Sequence, residues 1–273
     1  MAHYGVIADL HGNLEALQAA LAFLDRRGVE RVLCLGDVVG YNADPNACVS
    51  LLRQRGIATI AGNHDRIAVG ALGLERCSSI AAHALRRTRR ALDAASRAWL
   101  RDLPAHQAVE QRLLLTHGSV DDVQRYLWTY DDLRDNHRLL EREHPGTTIC
   151  FFGHTHRAAL YRSVGGQVVE LAALGEVMLP AAPNAVYFIN PGALDAARKV
   201  VGERWAELAL FDSARGVLTF CRLRYDHAAS ERKALRGGYR LGPLARGSRW
   251  LSALPRRALA GTARRLRAVW RDR

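Results

Sequence analysis

The sequence predicts an α/β protein in which two β-sheets pack together with helices on the outside. Two observations carry this expectation. Up to residue 65, short apolar runs alternate with amphipathic ones at the spacing of strand, helix, strand, helix, strand. After residue 157 the character shifts to consecutive strand-like runs separated by Gly, Pro and Asn turns.

Residues 4–8 read as a short buried strand, followed by an amphipathic helix over 14–27 with Leu14, Leu17, Leu21 and Leu24 at helical spacing. Arg31–Leu35 is a second strand. Pro45 suits the first turn of a helix reaching about Arg55, and Ile57–Ile60 is a third strand. Residues 66–103 are Ala- and Arg-rich with no strand candidate and read as a helical insertion. Its segment Ile80–Leu85, flanked by Arg86, Arg87, Arg89 and Arg90, forms a helix whose basic face is read as solvated rather than as a cap over anionic substrate. Strands resume at Arg112–Thr116 and Thr148–Phe152 around a helix near Asp131–Glu143. Five more are expected, at Ala158–Val164, Gln167–Ala173, Ala185–Asn190, Glu207–Phe211 and Val217–Arg222.

Composition narrows the class. The chain is 49% hydrophobic and 24% charged, the balance of an ordinary globular protein. No apolar run approaches the roughly 20 residues of a membrane-spanning helix. The first residues, with Asp9 and His11 close behind, do not form a signal peptide, so a cytoplasmic protein is expected. The five cysteines are scattered without a Cys-x-x-Cys pair, and Cys34, Cys150 and Cys221 fall in apolar runs as buried thiols. Eight arginines and one aspartate in residues 249–273 supply +7 of the net charge of +12, so most of the excess is a property of the tail. The expected division is a catalytic domain over 1–248 and a basic tail over 249–273.

The chemistry lies in five short segments, each just after a predicted strand: Asp9-Leu-His11-Gly-Asn, Gly36-Asp37, Gly62-Asn63-His64-Asp65, His117-Gly-Ser119 and Gly153-His154-Thr-His156. Ligand sites in open α/β sheets gather at the carboxyl ends of strands. Five such loops bringing His, Asp and Asn to one edge would build a metal site. Taken singly, each is an ordinary turn or helix cap. In order, and each at a strand end, they are hard to explain as turns. Ser119 has no base dedicated to it and reads as a turn residue. His3, His83, His106, His137, His144 and His227 lie outside the segments and read as surface or core residues.

This ordered set resembles the calcineurin-like metallophosphoesterase superfamily, in its small bacterial and archaeal phosphodiesterase-type branch. Asn190-Pro191-Gly192 resembles the turn that follows in that branch. The likeness implies a four-layer αββα sandwich of two mixed sheets over about 1–248, and a hydrolase of phosphodiesters or phosphomonoesters. It assigns Asp9, His11 and His156 to one divalent ion, Asn63, His117 and His154 to another, and Asp37 to both. Manganese is the expected metal, with iron, cobalt, nickel or zinc as alternatives that suit the same mixed ligands. The resemblance implies in-line attack by a hydroxide bridging the two ions. His64 then protonates the leaving group, with Asp65 orienting its ring.

Two departures narrow the subgroup. The second segment continues Val38-Val39-Gly40-Tyr41 rather than Asp-Arg-Gly, and the third ends in Asp65 rather than Glu, both away from the protein Ser/Thr phosphatases and dinucleoside tetraphosphatases. Ala193-Leu194 follows the Asn-Pro-Gly turn where relatives carry Ser and a Gly-x-Pro-Arg segment, so the resemblance does not extend to any substrate contact from that segment. The alternatives to a general phosphoesterase are a nuclease or nucleotide phosphodiesterase that uses the tail, and a non-catalytic scaffold. The intact ligand set disfavours the scaffold.

Pro255–Trp270 reads as an amphipathic helix, with Leu259, Ala263, Leu266 and Trp270 on one face and Arg257, Arg264, Arg267 and Arg271 opposite. Docking on the protein's own domain, or absence of fixed structure, is favoured over weak contact with nucleic acid or an anionic membrane surface. If the tail does grip such a partner, deleting residues 249–273 removes salt-sensitive binding to single-stranded nucleic acid or anionic vesicles. Binding that is absent, or unchanged by the deletion, ends that role.

Overall fold

The computed structural model describes residues 2–195 and 204–240. The chain divides into two units, Met1–Tyr239 and Arg240–Arg273, and the basic helix expected in the tail lies outside the described residues. The first half runs β1 (His3–Ile7), α1 (Leu14–Arg26), β2 (Arg31–Cys34), α2 (Pro45–Gln54), β3 (Ala58–Thr59) and α3 (Asn63–Ala68). Next come α4 (Ser79–Ala91), α5 (Ala94–Asp102), β4 (His106–Val109), β5 (Leu113–Thr116), α6 (Tyr130–Glu143) and β6 (Ile149–Phe151). The chain continues with β7 (Ala159–Val164), β8 (Gln167–Leu171), β9 (Glu176–Met178), β10 (Ala185–Asn190), β11 (Ala206–Asp212), β12 (Val217–Leu223) and α7 (His227–Arg236).

Among the described residues twelve strands form two six-stranded sheets, ordered β3-β2-β1-β11-β12-β9 and β4-β5-β6-β10-β7-β8. Both are mixed. In the first, β1, β2 and β3 pair parallel while β11 lies antiparallel to β1. In the second, β5, β6 and β10 pair parallel, with antiparallel neighbours on either side.

Side-chain alternation along the strands sorts the core into layers. Leu113, Leu115 and Phe151 of the second sheet meet Tyr4, Val6, Leu33 and Phe211 of the first in one cluster between the sheets. Leu114, Cys150 and Phe152, one residue out of phase, face the opposite way and pack against Leu133 and Leu140 of α6. On the outer face of the first sheet, Ile7, Cys34, Leu208 and Leu210 meet Leu17, Leu21 and Leu24 of α1. Helix, sheet, sheet, helix is the four-layer order expected. Strands buried on both faces explain why their sequences are apolar runs rather than alternations.

α1 begins where Asn13 Oδ1 accepts from the Ala16 amide at 3.1 Å, with Glu15 in the first turn beside the positive end of the helix dipole. The insertion is less solvated than its composition suggests. Leu85, Leu92 and Leu100 join the outer core, and Thr88 Oγ1 donates to Gly40 O at 2.9 Å. Arg89, half-buried, donates from Nε to Ile67 O at 2.8 Å, while Arg86, Arg87 and Arg90 remain exposed.

Three elements escape sequence reasoning. β4 and β9 are short edge strands, and α7 buries only Ser230 and Ala234, too few for an apolar period. α7 is held by its one lysine, since Lys233 Nζ pairs with Glu15 at 2.6 Å and with Asp44. Of the thiols expected to be buried, Cys34 and Cys150 are, whereas Cys221 is only half-buried on the outer face of β12. No helix among the described residues is long and apolar enough to cross a membrane.

Phe211 is fully buried between the sheets, its ring edge-to-face with Phe151 at 5.8 Å. Phe211→Ala is expected to cost about 3–5 kcal/mol in urea denaturation, because the cavity opens where neither sheet can collapse into it. A loss below about 1 kcal/mol would contradict this packing.

Candidate metal centre

The five segments converge on one edge of the sandwich. Asp9 and His11 follow β1, Asp37 follows β2, Asn63 and His64 open α3 after β3, His117 follows β5, and His154 and His156 follow β6. All are delivered by carboxyl ends of parallel strands, three from one sheet and two from the other. The site therefore straddles the rim where the sheets meet. Two groups of side chains could each hold a metal ion, Asp9, His11, Asp37 and His156, and Asp37, His117 and His154, and Asp37 belongs to both.

Each carboxylate is anchored on one side and open on the other. Asp9 Oδ2 accepts from the His154 amide at 3.1 Å, while Oδ1 lies 3.3 Å from His156 Nε2 and makes no hydrogen bond. Asp37 Oδ1 accepts from the His64 amide at 2.8 Å, and its Oδ2 lies 3.4 Å from His117 Nε2 and 3.7 Å from His11 Nε2. His117 Nδ1 donates to Leu35 O at 2.8 Å, because a carbonyl can only accept. Its Nε2 then faces Asn63 Oδ1 at 3.1 Å. His11 Nε2 and His156 Nε2 approach to 2.9 Å. His154 Nε2 donates to Gln124 O at 3.3 Å, which leaves Nδ1 as its lone-pair nitrogen. Buried oxygens and ring nitrogens crowded in this way, with Asp9 Oδ1 and His156 Nδ1 unmatched, fit a cation.

The backbone is bent to achieve this. Asp9, His11, Asp37, His154 and His156 have φ of 55°, 51°, 52°, 64° and 57°, the left-handed region that side chains other than glycine avoid. Among the described non-glycine residues only Glu110 and Asn184 share it outside the site. Each such residue costs about 1–3 kcal/mol, sustained by the packed sheets below. Gly62 allows the second and third loops to touch, since a Cβ there would lie 2.1 Å from Asp37 Oδ1. Asp65 ties the same loops, accepting from Val39 N at 3.1 Å and Gly62 N at 2.9 Å. Sequence reasoning has Asp65 orient the His64 ring, but these hydrogen bonds of its carboxylate go to main chain.

Sequence reasoning missed two neighbours of the site. The Tyr41 ring lies 4.7 Å from that of His11 and 4.9 Å from that of His64, and Tyr126 stacks on His154 at 3.8 Å. Tyr41 stood four residues after Asp37 without any pattern to mark it. Ser119 is, as expected, a structural residue, donating to Asn136 Oδ1 at 2.9 Å.

Electrostatics follow from burial and proximity. Burial raises the Asp37 carboxyl, but the surrounding His117 and His64 outweigh it and hold the group well below the usual carboxylate range. Burial disfavours charge on His117, yet the Asp37 carboxylate overrides it and pushes the imidazole up to about 9. His154 goes the other way, pushed down to about 3 by burial and by His117. Burial and the charge of Asp37 raise Asp65 to about 7.

The fold and the comparisons define a phosphoesterase-type hydrolase. Residues 2–213 match the calcineurin-like phosphoesterase superfamily domain, and the chain belongs to that superfamily. It is 28% identical to a metallophosphoesterase from Sphaerobacter thermophilus whose crystal structure superposes with a TM-score of 0.72, covering 87% of this chain and 94% of that one. An uncharacterized protein of Methanocaldococcus jannaschii is 27% identical over 224 residues, 81% of this chain and 87% of its own. A hypothetical protein of Pyrococcus horikoshii OT3, at 17% identity, shares the fold with a TM-score of 0.67, covering 88% of this chain and 95% of that one.

The charged His117 sets a pH dependence. Its pKa lies above the ordinary 6.5, so the metal-free protein carries an extra proton there between about 6.5 and 9. That proton stabilises the metal-free fold at low pH, is lost as pH rises through 9, and must leave before a metal binds. Affinity for Mn²⁺ is therefore expected to climb with pH across this window. Calorimetry in buffers of different ionisation enthalpy should show proton release, and a pH-independent affinity would contradict the assignment.

Proposed function

We propose that the chain hydrolyses a phosphodiester or phosphomonoester at a centre of two divalent ions, in a cytoplasmic setting. The observation that carries this reading is the double membership of Asp37, whose carboxylate reaches both ligand groups. Asp9, His11 and His156 would hold one ion, and Asn63, His117 and His154 the other. When bound, such ions, with manganese favoured over iron, cobalt, nickel or zinc, supply Lewis acidity toward phosphate oxygens and an activated water.

The remaining steps fall to side chains of the chain itself. Asp37 keeps its charge in the buried site and so draws the two groups together. Neutral His154 can offer a lone pair at any ordinary pH. His64 is buried beside His11, with ring centroids 4.6 Å apart, and its own amide is fixed to Asp37. It ligates in neither group, so its imidazole serves as the acid that protonates the departing alkoxide. Asp65 supports this placement by locking the loop that carries His64 onto the preceding one.

The test is a hydrolysis panel with each of the five metals on a generic phosphodiester, a phosphomonoester, cyclic nucleotides and single-stranded nucleic acid. Turnover with at least one metal, lost in Asp37→Ala, is expected; no turnover with any metal, or full turnover in Asp37→Ala, overturns the reading. His64→Ala should retain metal and lower kcat by about 10²–10⁴-fold, most for substrates with poor leaving groups. An equal loss for good and poor leaving groups would remove His64 as the acid.

A further inference from the structure

Between β5 and the first residue of α6 the chain displays an unusual surface. Tyr126, Trp128 and Tyr130 are 42%, 57% and 50% exposed, and they are the exposed large aromatic side chains among the described residues. All three fall within five positions. Leu127 between the first two is buried with α6 behind the second sheet, so its neighbours are turned outward. A clustered aromatic surface of this kind marks a binding site more often than a solvated loop.

The segment is held in place rather than loose. Ser119 N donates to Arg125 O at 3.1 Å, and Val120 N donates to Asn136 Oδ1 at 2.9 Å. Arg76 pairs with Asp122 at 2.7 Å, and Arg125 with Asp135 at 3.0 Å. The surface also begins at the metal centre. Tyr126 lies on the ring of His154 at 3.8 Å and 19°, and Trp128 stands against Tyr126 at 6.2 Å and 87°. The two rings make a corner with one wall on a ligand residue. Packing on His154 accounts for Tyr126 alone. It does not account for Trp128, which is more than half exposed and meets Tyr126 only edge to face.

We propose that Tyr126 and Trp128 are a stacking platform that selects phosphate esters carrying a planar aromatic ring, either a nucleobase or an aryl group. The proposal rests on the phosphoesterase reading above and adds to it the residues that choose the substrate. Stacking suits this role because any flat ring offers a π-face, whereas the metal groups see only the phosphate.

The experiment uses the metal-loaded protein and pairs of esters with matched leaving alkoxides. The pairs are adenosine 5′-phosphate against ribose 5-phosphate and 2-phenylethyl phosphate against butyl phosphate, each as monoester and as methyl diester. The ring-bearing member is expected to be preferred about tenfold in kcat/KM. That ratio should collapse in Trp128→Leu and shrink in Tyr126→Leu. Preference within the adenosine pair alone assigns a nucleobase, within the phenylethyl pair alone an aryl group, and either upholds the platform. No preference in the native protein, or a variant that slows both members of a pair equally, overturns it. Tryptophan fluorescence gives a readout independent of turnover: adenosine 5′-phosphate should quench the native protein and not Trp128→Leu, while ribose 5-phosphate quenches neither. Should no ester be hydrolysed, the phosphoesterase reading fails while this quenching still upholds the platform. Equal binding of the two ligands overturns the platform even if turnover is fast.

Discussion

Asp37 stands where loops from two different sheets meet, and the arrangement of the rim depends on its carboxylate. One oxygen takes the amide of His64 and fixes the start of α3, and the other faces His11 from the first sheet and His117 from the second. A buried negative charge is costly unless matched, and here the match comes from imidazoles that approach from both sheets. The sandwich supplies what that match requires, namely two parallel strand sets whose carboxyl ends reach a common edge. Interactions that look local, such as the hydrogen bonds of Asp65 to Val39 and Gly62, keep the third loop close enough for Asp37 to serve both groups.

Much of this was legible in the sequence, for a physical reason. Strands buried on both faces leave long apolar runs, so a polar Asp, His or Asn directly after such a run stands out. Asp9, Asp37, Asn63, His117 and His154 are all marked that way, and the structure brings all of them together. The fold was equally readable where an apolar stripe faces a sheet, as in α1. It was unreadable in α7, which is held by Lys233 rather than by a stripe, and in β9, three residues at a sheet edge. Tyr41 and Tyr126 were invisible because their meaning lies in a ring-to-ring contact with residues far along the chain. The half-buried Arg89 in α4 was misjudged for the opposite reason. A charge run reads as solvent-facing unless carbonyls such as Ile67 O stand ready to receive it.

The left-handed backbone at five site residues belongs to neither category. Asp and His enter this region more readily than most side chains, yet it still costs them relative to the right-handed one, and no local pattern marks where it is used. It arises because a side chain leaving a strand end must turn sharply inward to meet partners on the rim, and the sheets beneath are stable enough to enforce the turn. The same bend explains the glycines threaded through the segments. At Gly62 a methyl group would occupy the space of Asp37 Oδ1, and at Gly40 it would lie 2.6 Å from His64 Nδ1.

That bend leaves conformational strain at the rim. Most of the non-glycine left-handed residues lie at the rim, so opening the rim would release strain that opening the packed layers between and behind the sheets would not. A cation gathered by Asp37 and its neighbours would then act as a clasp, closing a frame already assembled and slowing its local breathing. The sheets would serve as the mould into which any such ion is set.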